Sequence, residues 1–169
     1  MISGILSFDW ALAFFWIMAT TLGWFLGALI PGGLSFAVAG LLIGVFQSLV
    51  LQGRIGGTWR WMVSTFSGWT LAYLILFFWL PREFEVLDGG ILGLAVGIAQ
   101  WLILRRELRW AGWWIIFSVM GWVTGLTLLP GALLTGTMAG ALTGLVLEIL
   151  LRHPRPGTIG DLASGPRRV

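Results

Sequence analysis

Long apolar segments alternate with short breaks along the whole chain. Six apolar segments stand out, at roughly residues 9–30, 33–52, 59–80, 89–105, 110–129 and 132–151. A helix needs about 20 mainly apolar residues to cross the hydrocarbon core of a bilayer, which is close to the length of each segment. The breaks contain residues that end helices, such as the Pro-Gly pairs at 31–32 and 130–131. The pattern therefore predicts six transmembrane helices.

The odd-numbered segments share one motif of large, hydroxyl-bearing and small residues. Counted from the glycine of a Gly-Trp pair, a Trp lies at −7, a Thr or Ser at −3 and a Gly or Ala at +4. The three copies are Trp16, Thr20, Gly23, Trp24 and Gly27; Trp61, Thr65, Gly68, Trp69 and Ala72; and Trp114, Ser118, Gly121, Trp122 and Gly125. Steps of four, three and four residues keep to one helix face, so the motif predicts the same stripe on three helices.

The even-numbered segments share a second motif, Gly-x3-Gly-x2-Gln. It reads Gly40, Gly44 and Gln47, then Gly93, Gly97 and Gln100, and finally Gly140, Gly144 and Leu147 in place of the glutamine. The chain is thus predicted to be an all-α integral membrane domain over residues 1–151, made of three tandem two-helix repeats at about 9–53, 54–106 and 107–153. The simplest closed arrangement is a pseudo-threefold bundle. Residues 152–169 are rich in Pro, Gly and Arg and predict a flexible basic tail.

The fullest copy of the second motif, Gly-x3-Gly-x2-Gln-Trp-Leu-x-Leu-Arg from Gly93 to Arg105, follows a Gly-Trp helix. In this it resembles small, repeat-built multipass membrane proteins of bacteria, most of which have no assigned activity. The resemblance covers nearly the whole chain and implies no catalytic or binding residues. Three two-helix repeats are also similar to the mitochondrial carrier architecture. The Pro-x-Asp/Glu-x-x-Lys/Arg signature of that family is missing from every repeat, so the resemblance implies no carrier activity.

Composition and charge support a membrane location. The chain is 58% hydrophobic and only 10% charged, whereas soluble domains are about one quarter charged. All ten basic residues are arginines, and they concentrate in the connections after the second and fourth segments and in the tail. The positive-inside rule then places both termini in the cytoplasm, and the resemblance to bacterial multipass proteins implies the bacterial inner membrane. Because the arginines set topology, we expect no nucleic-acid partner.

The repeated glycines predict close helix packing, because helices in lipid associate through small residues four apart. The set is Gly23, Gly27, Gly40, Gly44, Gly68, Gly93, Gly97, Gly121, Gly125, Gly140 and Gly144, which we assign to the seam within each hairpin. Gln47 and Gln100 are predicted to hydrogen-bond between helices, with the Thr/Ser stripe as partner. The hydroxyls of that stripe can also bond to their own i−4 carbonyls. An alternative role for the glutamines is to supply an oxygen ligand to the metal of a pigment, or a polar contact to a quinone or lipid head group.

Nine of the twelve tryptophans fall into two predicted groups. Six flank the arginine connections and are typical of an interfacial aromatic belt: Trp59, Trp61, Trp101, Trp110, Trp113 and Trp114. Trp24, Trp69 and Trp122 lie deeper and recur with the motif, so we expect ring packing between hairpins. Their alternative role is stacking on an apolar cofactor, whose identity the sequence leaves unknown.

Glu148 is the only acidic residue well inside a predicted span, and Arg152 follows it by one helical turn. An i,i+4 ion pair is the structural interpretation; a proton or ligand role is the alternative. His153 is the sole histidine and cysteine is absent, so no metal site or catalytic set can be assembled.

These features favour a non-enzymatic membrane scaffold or accessory subunit, whose partners are the bilayer and other subunits or a second copy. Two alternatives stay open. One is a small transporter or channel along the pseudo-threefold axis, and the other is a binder of an apolar cofactor or lipid between the tryptophans.

Overall fold

The computed structural model describes residues 9–79, 85–129 and 131–158, and all regular structure within these ranges is helical. The six helices are α1 (Trp10–Ala28), α2 (Leu34–Val50), α3 (Thr58–Phe78), α4 (Glu85–Glu107), α5 (Trp113–Thr127) and α6 (Ala132–Leu151). Their number and their places along the chain confirm the prediction of an all-α, six-helix chain.

Capping and glycine geometry explain several helix ends. The Asp9 side chain accepts a hydrogen bond from the Leu12 backbone N–H at 3.0 Å, which starts α1. Gly32 has φ +75° in the turn between α1 and α2, a conformation that costs glycine little. Helix α4 begins four residues before the predicted 89, so it includes part of the segment expected to connect the third and fourth helices. Residues 80–84, which are the end of the predicted third segment and the start of this connection, lie outside the described residues.

The helices form a closed ring. Each helix packs mainly against its neighbours along the chain, and α6 packs against α1 to close the ring. By length and composition, α1, α3, α4 and α6 are each suited to crossing a bilayer, whereas α2 and α5 are apolar but have only 17 and 15 residues. Large apolar side chains such as Phe14, Leu71 and Ile149 are exposed on the outside. The bundle therefore presents apolar surface outward, as a lipid-facing protein does.

The beginning of the predicted tail is tied to the connection between α4 and α5. The Arg109 N–H donates to the His153 carbonyl at 2.9 Å, and the Arg155 N–H donates to the Glu107 carbonyl at 2.8 Å. These bonds flank an isolated antiparallel bridge between Leu108 and Pro154. The chain is thus hydrogen-bonded as far as 158, and residues 159–169 of the tail lie outside the described residues.

Candidate functional site in the core of the bundle

The odd-numbered helices turn their shared stripe toward the centre of the ring. Its first tryptophans, Trp16, Trp61 and Trp114, form a first tryptophan triad with ring centroids 5.6–5.9 Å apart and edge-to-face geometry. All three are almost completely buried. The edge of each indole meets the face of another, which is the favoured arrangement of aromatic quadrupoles.

A second tryptophan triad lies two helical turns further along the same stripe. It consists of Trp24, Trp69 and Trp122, with centroids 5.1–5.8 Å apart. The predicted packing of these rings between hairpins is therefore confirmed. Because each triad takes one ring from each hairpin, the indoles fill the centre of the bundle at two levels.

Polar side chains lie between the triads, and we call this set the polar layer. It comprises Thr20, Gln47, Thr65, Gln100, Ser118 and Thr143, all buried. The odd helices place their hydroxyls one turn from a tryptophan of each triad, and the even helices supply the amides and Thr143. Amides and hydroxyls buried at this depth need hydrogen-bond partners.

Gln47 joins three helices. Its Nε2 donates to Thr20 Oγ1 at 3.0 Å, and its Oε1 accepts from Trp61 Nε1 at 3.0 Å. Thr20 Oγ1 donates onward to the Trp16 carbonyl at 3.0 Å. The predicted bond from the glutamine to the Thr/Ser stripe is confirmed. The indole partner comes from the next hairpin, which the sequence did not indicate.

Gln100 repeats this arrangement one unit later. Its Nε2 donates to Thr65 Oγ1 at 2.8 Å, and its Oε1 accepts from Trp114 Nε1 at 3.0 Å. Thr65 Oγ1 donates to the Trp61 carbonyl at 2.8 Å. A longer contact of 3.4 Å links Gln100 Nε2 to Gln47 Oε1, so the two amides belong to one network.

The third unit reaches the same result with different residues. Leu147 stands where the other units have glutamine, and it cannot accept a hydrogen bond. Thr143, one turn earlier, accepts from Trp16 Nε1 at 3.0 Å and donates to the Ala139 carbonyl at 2.6 Å. The first and second units have Ile43 and Val96 at the position of Thr143. The repeated motif did not indicate Thr143, although the exchange of polar and apolar positions between residues 43, 96 and 143 is present in the aligned repeats.

The predicted packing glycines all lie at helix contacts, but not all in the predicted seam. The odd-helix glycines meet the other helix of the same hairpin, as Gly23 meets Ile43 and Gly121 meets Ala139. The even-helix glycines meet the following hairpin, or the first one in the case of α6, so their assignment to a seam within the hairpin is wrong. The contacts on the odd helices belong to Gly23, Gly27, Gly68, Gly121 and Gly125, and those on the even helices to Gly40, Gly44, Gly93, Gly97, Gly140 and Gly144.

Two further packing glycines extend the even-helix motif backward by one turn. A Cβ at Gly136 would lie 2.7 Å from Thr21 Cα, and one at Gly89 would lie 2.7 Å from Val123 Cα. Distances this short leave no room for a side chain. The signal was their spacing, since each glycine stands four residues before the first glycine of its motif.

The predicted ion pair is present and closes the ring at one end. Arg152 Nη2 lies 2.7 Å from Glu148 Oε1, and that oxygen also accepts from the Asp9 backbone N–H at 3.0 Å. Asp9 Oδ2 pairs with Arg54 at 2.9 Å. The backbone N–H of Leu12 is the main cause that lowers the pKa of the Asp9 carboxyl below its ordinary value, and Arg54 adds to this effect against the opposing effect of burial.

The prediction of an aromatic belt is wrong for two of its six tryptophans. Trp61 and Trp114 are buried in the first tryptophan triad, whereas Trp59, Trp110 and Trp113 are exposed. The buried pair occupies the −7 position of the repeated motif, and the exposed ones do not. The position of a tryptophan in the repeated motif therefore predicts its burial better than its proximity to arginine does.

The space inside the core is small. A cavity of about 10 Å³ borders the polar layer and is lined in part by Gln47, Gln100, Trp69 and Trp122. A ligand pocket usually measures about 300–1,000 Å³, and about 10–15 Å³ is the minimum for one water molecule. In this conformation the side chains proposed for a cofactor, which also include Trp24, pack against the core and one another. Their cofactor role stays a prediction.

No match to this chain is found among protein-family models, curated proteins or solved structures. Its proposed role therefore rests on the residues and geometry described above.

Proposed function

We propose that this chain is a non-enzymatic scaffold or accessory subunit of the bacterial inner membrane, with both termini in the cytoplasm. The low content of charge, the apolar outer surface and four helices of spanning length support membrane insertion. Helices α2 and α5 are about 23–26 Å long at 1.5 Å per residue. A small mismatch of this kind is accommodated by local thinning of the bilayer.

We further propose that the three hairpins are repeats around a pseudo-threefold axis. Each hairpin contributes one ring to each tryptophan triad. In each unit an indole N–H donates to a side chain on the even helix of the adjacent unit in the ring. The acceptors are Gln47, Gln100 and Thr143. Recurrence of a motif, a contact and a hydrogen bond at one spacing is what a repeated supersecondary unit produces.

The observation that carries the scaffold role is the filled core. The two tryptophan triads and the polar layer leave about 10 Å³ of space, which is far below the size of a metabolite or cofactor pocket. The indoles at two levels also block a path along the axis. The outer surface is then the part of the molecule available for recognition, and in a bilayer it favours contacts with apolar helices and lipid.

Three measurements test the proposal: topology reporters, native mass spectrometry and extraction with alkaline carbonate. Reporter fusions at Gly53, Gly112 and the C-terminus should read as cytoplasmic, and fusions at Gly32 and Gly131 as external. Native mass spectrometry of the protein in polymer-bounded discs cut from its own membrane should then find it with other membrane polypeptides at fixed stoichiometry. A chain that leaves the membrane in alkaline carbonate would refute insertion, and an inserted chain without polypeptide partners would refute the scaffold role.

A transporter is the second candidate, because Gln47 and Gln100 converge in one network at the centre of the bundle. Such a role requires a conformation in which the tryptophan triads separate. Purified protein in liposomes would show solute or ion flux that Gln47→Leu abolishes. Intact liposomes with no flux above that of empty ones would exclude this candidate for the solutes assayed.

A further inference from the structure

An open cavity of about 740 Å³ lies at the end of the bundle where α4 ends and α5 begins. We call it the arginine cleft. Its lining includes Arg105, Arg106, Arg155, Trp101 and Trp110. The cleft is separate from the core site, and it combines three guanidinium groups with two indoles.

The fold holds these side chains in place by different means. The Arg105 guanidinium lies over the Trp101 ring at 5.0 Å, a cation–π contact that orients it. Arg155 Nε donates to the Leu108 carbonyl at 3.1 Å, because the start of the tail is bonded to this connection. Trp110 has φ +66° and stacks on His153 at 6.1 Å. Two segments distant in sequence therefore build one cleft.

Within the described part of the chain, the charged residues that line the cleft are all arginines. The ion pairs found within the described residues join Arg54 to Asp9 and Arg152 to Glu148, and neither pair involves an arginine of the cleft. Among the residues that the structure describes, no Asp or Glu lines the cavity. Arginine forks match the geometry of phosphate oxygens, and exposed guanidinium groups pay little desolvation to bind them.

We infer that the arginine cleft binds the phosphodiester head group of an anionic phospholipid. The inference rests on the proposed membrane location. The cavity reaches from the arginines to Trp101, one helical turn nearer the apolar middle of α4, which is about 6 Å of rise. A lipid fits this polarity gradient, with its phosphate on the arginines and its glycerol and first methylenes beside an interfacial indole. A free phosphate ester would use the arginines alone.

The test is native mass spectrometry of the delipidated full chain in detergent, titrated with phosphatidylglycerol or with phosphatidylcholine. The altered protein carries Arg105→Gln and Arg106→Gln. The matched control is Arg60→Gln, because Arg60 also stacks on an indole, Trp59, at 5.7 Å but lies outside the cleft. Loss of one basic residue that interacts with anionic lipid at a membrane surface lowers the affinity for that lipid about fivefold. The double variant should therefore bind phosphatidylglycerol about 25-fold more weakly, while Arg60→Gln should match the wild type.

Each result decides between defined readings. Selective binding of phosphatidylglycerol that falls in the double variant alone supports the cleft. Equal affinity for both lipids, or an equal loss in the Arg60→Gln control, overturns it. Soluble glycerophosphoglycerol that competes as strongly as the lipid would assign the arginines to a free phosphate ester and overturn the lipid assignment. Thermal unfolding of each variant verifies folding, and Arg155→Lys provides a second altered cleft that keeps its charge but loses the guanidinium fork.

Failure here is distinguishable from failure of the proposed function. The lipid titration reports on the cleft alone. Carbonate extraction reports on membrane insertion, and the discs from native membrane report on polypeptide partners.

Discussion

Gln47 and Thr143 accept an indole hydrogen bond in different units and from positions one helical turn apart, and this leads to a quantitative prediction about the polar layer. In Gln47→Leu, Thr20 still donates to the Trp16 carbonyl and Gln100 still donates to Thr65. The Trp61 indole N–H, bonded to Gln47 at 3.0 Å, is left without its acceptor, whereas Gln100 Nε2 loses only its longer contact of 3.4 Å to Gln47. A buried donor without a partner costs about 1–3 kcal/mol. We expect Gln47→Leu to lower the free energy of unfolding by that amount.

A second substitution should restore the acceptor. Ile43 occupies the position of Thr143, and the carbonyl one turn before it belongs to Ala39, as that of Ala139 precedes Thr143. Ile43→Thr alone should cost about 1–2 kcal/mol, because it removes buried hydrocarbon and adds a hydroxyl. In the double variant the new hydroxyl can accept from Trp61 as Thr143 accepts from Trp16. The combined loss should therefore be smaller than the sum of the single losses by about 1 kcal/mol or more.

The assay measures reversible unfolding in lipid bicelles by steric trapping. It is applied to the wild type, both single variants and the double variant. The mismatched pair Gln47→Leu with Val96→Thr is the control, since its hydroxyl enters the wrong unit and should leave the losses additive. Additivity of the matched pair within about 0.5 kcal/mol would refute the equivalence of the two acceptor positions.

Three further predictions concern packing, indole hydrogen bonds and pH. Gly23→Ala should destabilise the protein by about 1–3 kcal/mol, because the new Cβ would lie 2.6 Å from a backbone nitrogen of α2. The control Gly112→Ala, whose Cβ would have nothing within 4 Å, should change stability by less than about 0.5 kcal/mol. Equal effects of the two variants in thermal unfolding would contradict close packing at Gly23. Trp61→Phe should cost about 1 kcal/mol more than Trp69→Phe. Both rings are fully buried, but Trp61 Nε1 donates to Gln47, whereas Trp69 Nε1 has no hydrogen-bond partner among the described residues. The bicelle assay measures the difference, and equal losses would argue against a stabilising role of the indole hydrogen bond. Because the pKa of Asp9 is lowered in the folded state, its carboxylate stabilises the folded state above about pH 4, and this contribution is lost as pH falls through the folded pKa. The stability difference between wild type and Asp9→Asn should therefore be constant from about pH 8 to pH 5 and shrink below about pH 4. A difference that grows as the pH falls would contradict the sign of this prediction.

The sequence predicted the elements and several local contacts well. The six segments correspond to six helices, with the largest shift at the start of α4. The bonds from Gln47 and Gln100 to the threonine stripe followed from the need of a buried amide for a partner on the adjacent helix. The Glu148–Arg152 pair followed from i,i+4 spacing on one helix. Each of these predictions depends on neighbours along the chain or within one hairpin.

The contacts that the sequence missed lie between hairpins. Gln47 and Gln100 accept from indoles of the following hairpin, and Gly40 packs against Trp69 of α3 rather than within its own hairpin. Each of these assignments requires knowledge of which helix lies beside an even helix on its far side. Closure of α6 on α1 also supplied Thr143 as the acceptor for Trp16, the two residues being at opposite ends of the chain.

The sequence by itself determined helical class, helix number and the repeated stripe, because hydrophobicity and helical period are properties of short stretches of chain. Only the tertiary structure decided that the stripes meet as two tryptophan triads around a nearly filled core, and that Arg155 from the tail joins Arg105 in one cleft. The physical reason is that a helix face has no fixed partner until the ring closes. Side chains far apart in sequence acquire their hydrogen-bond and packing partners at that step.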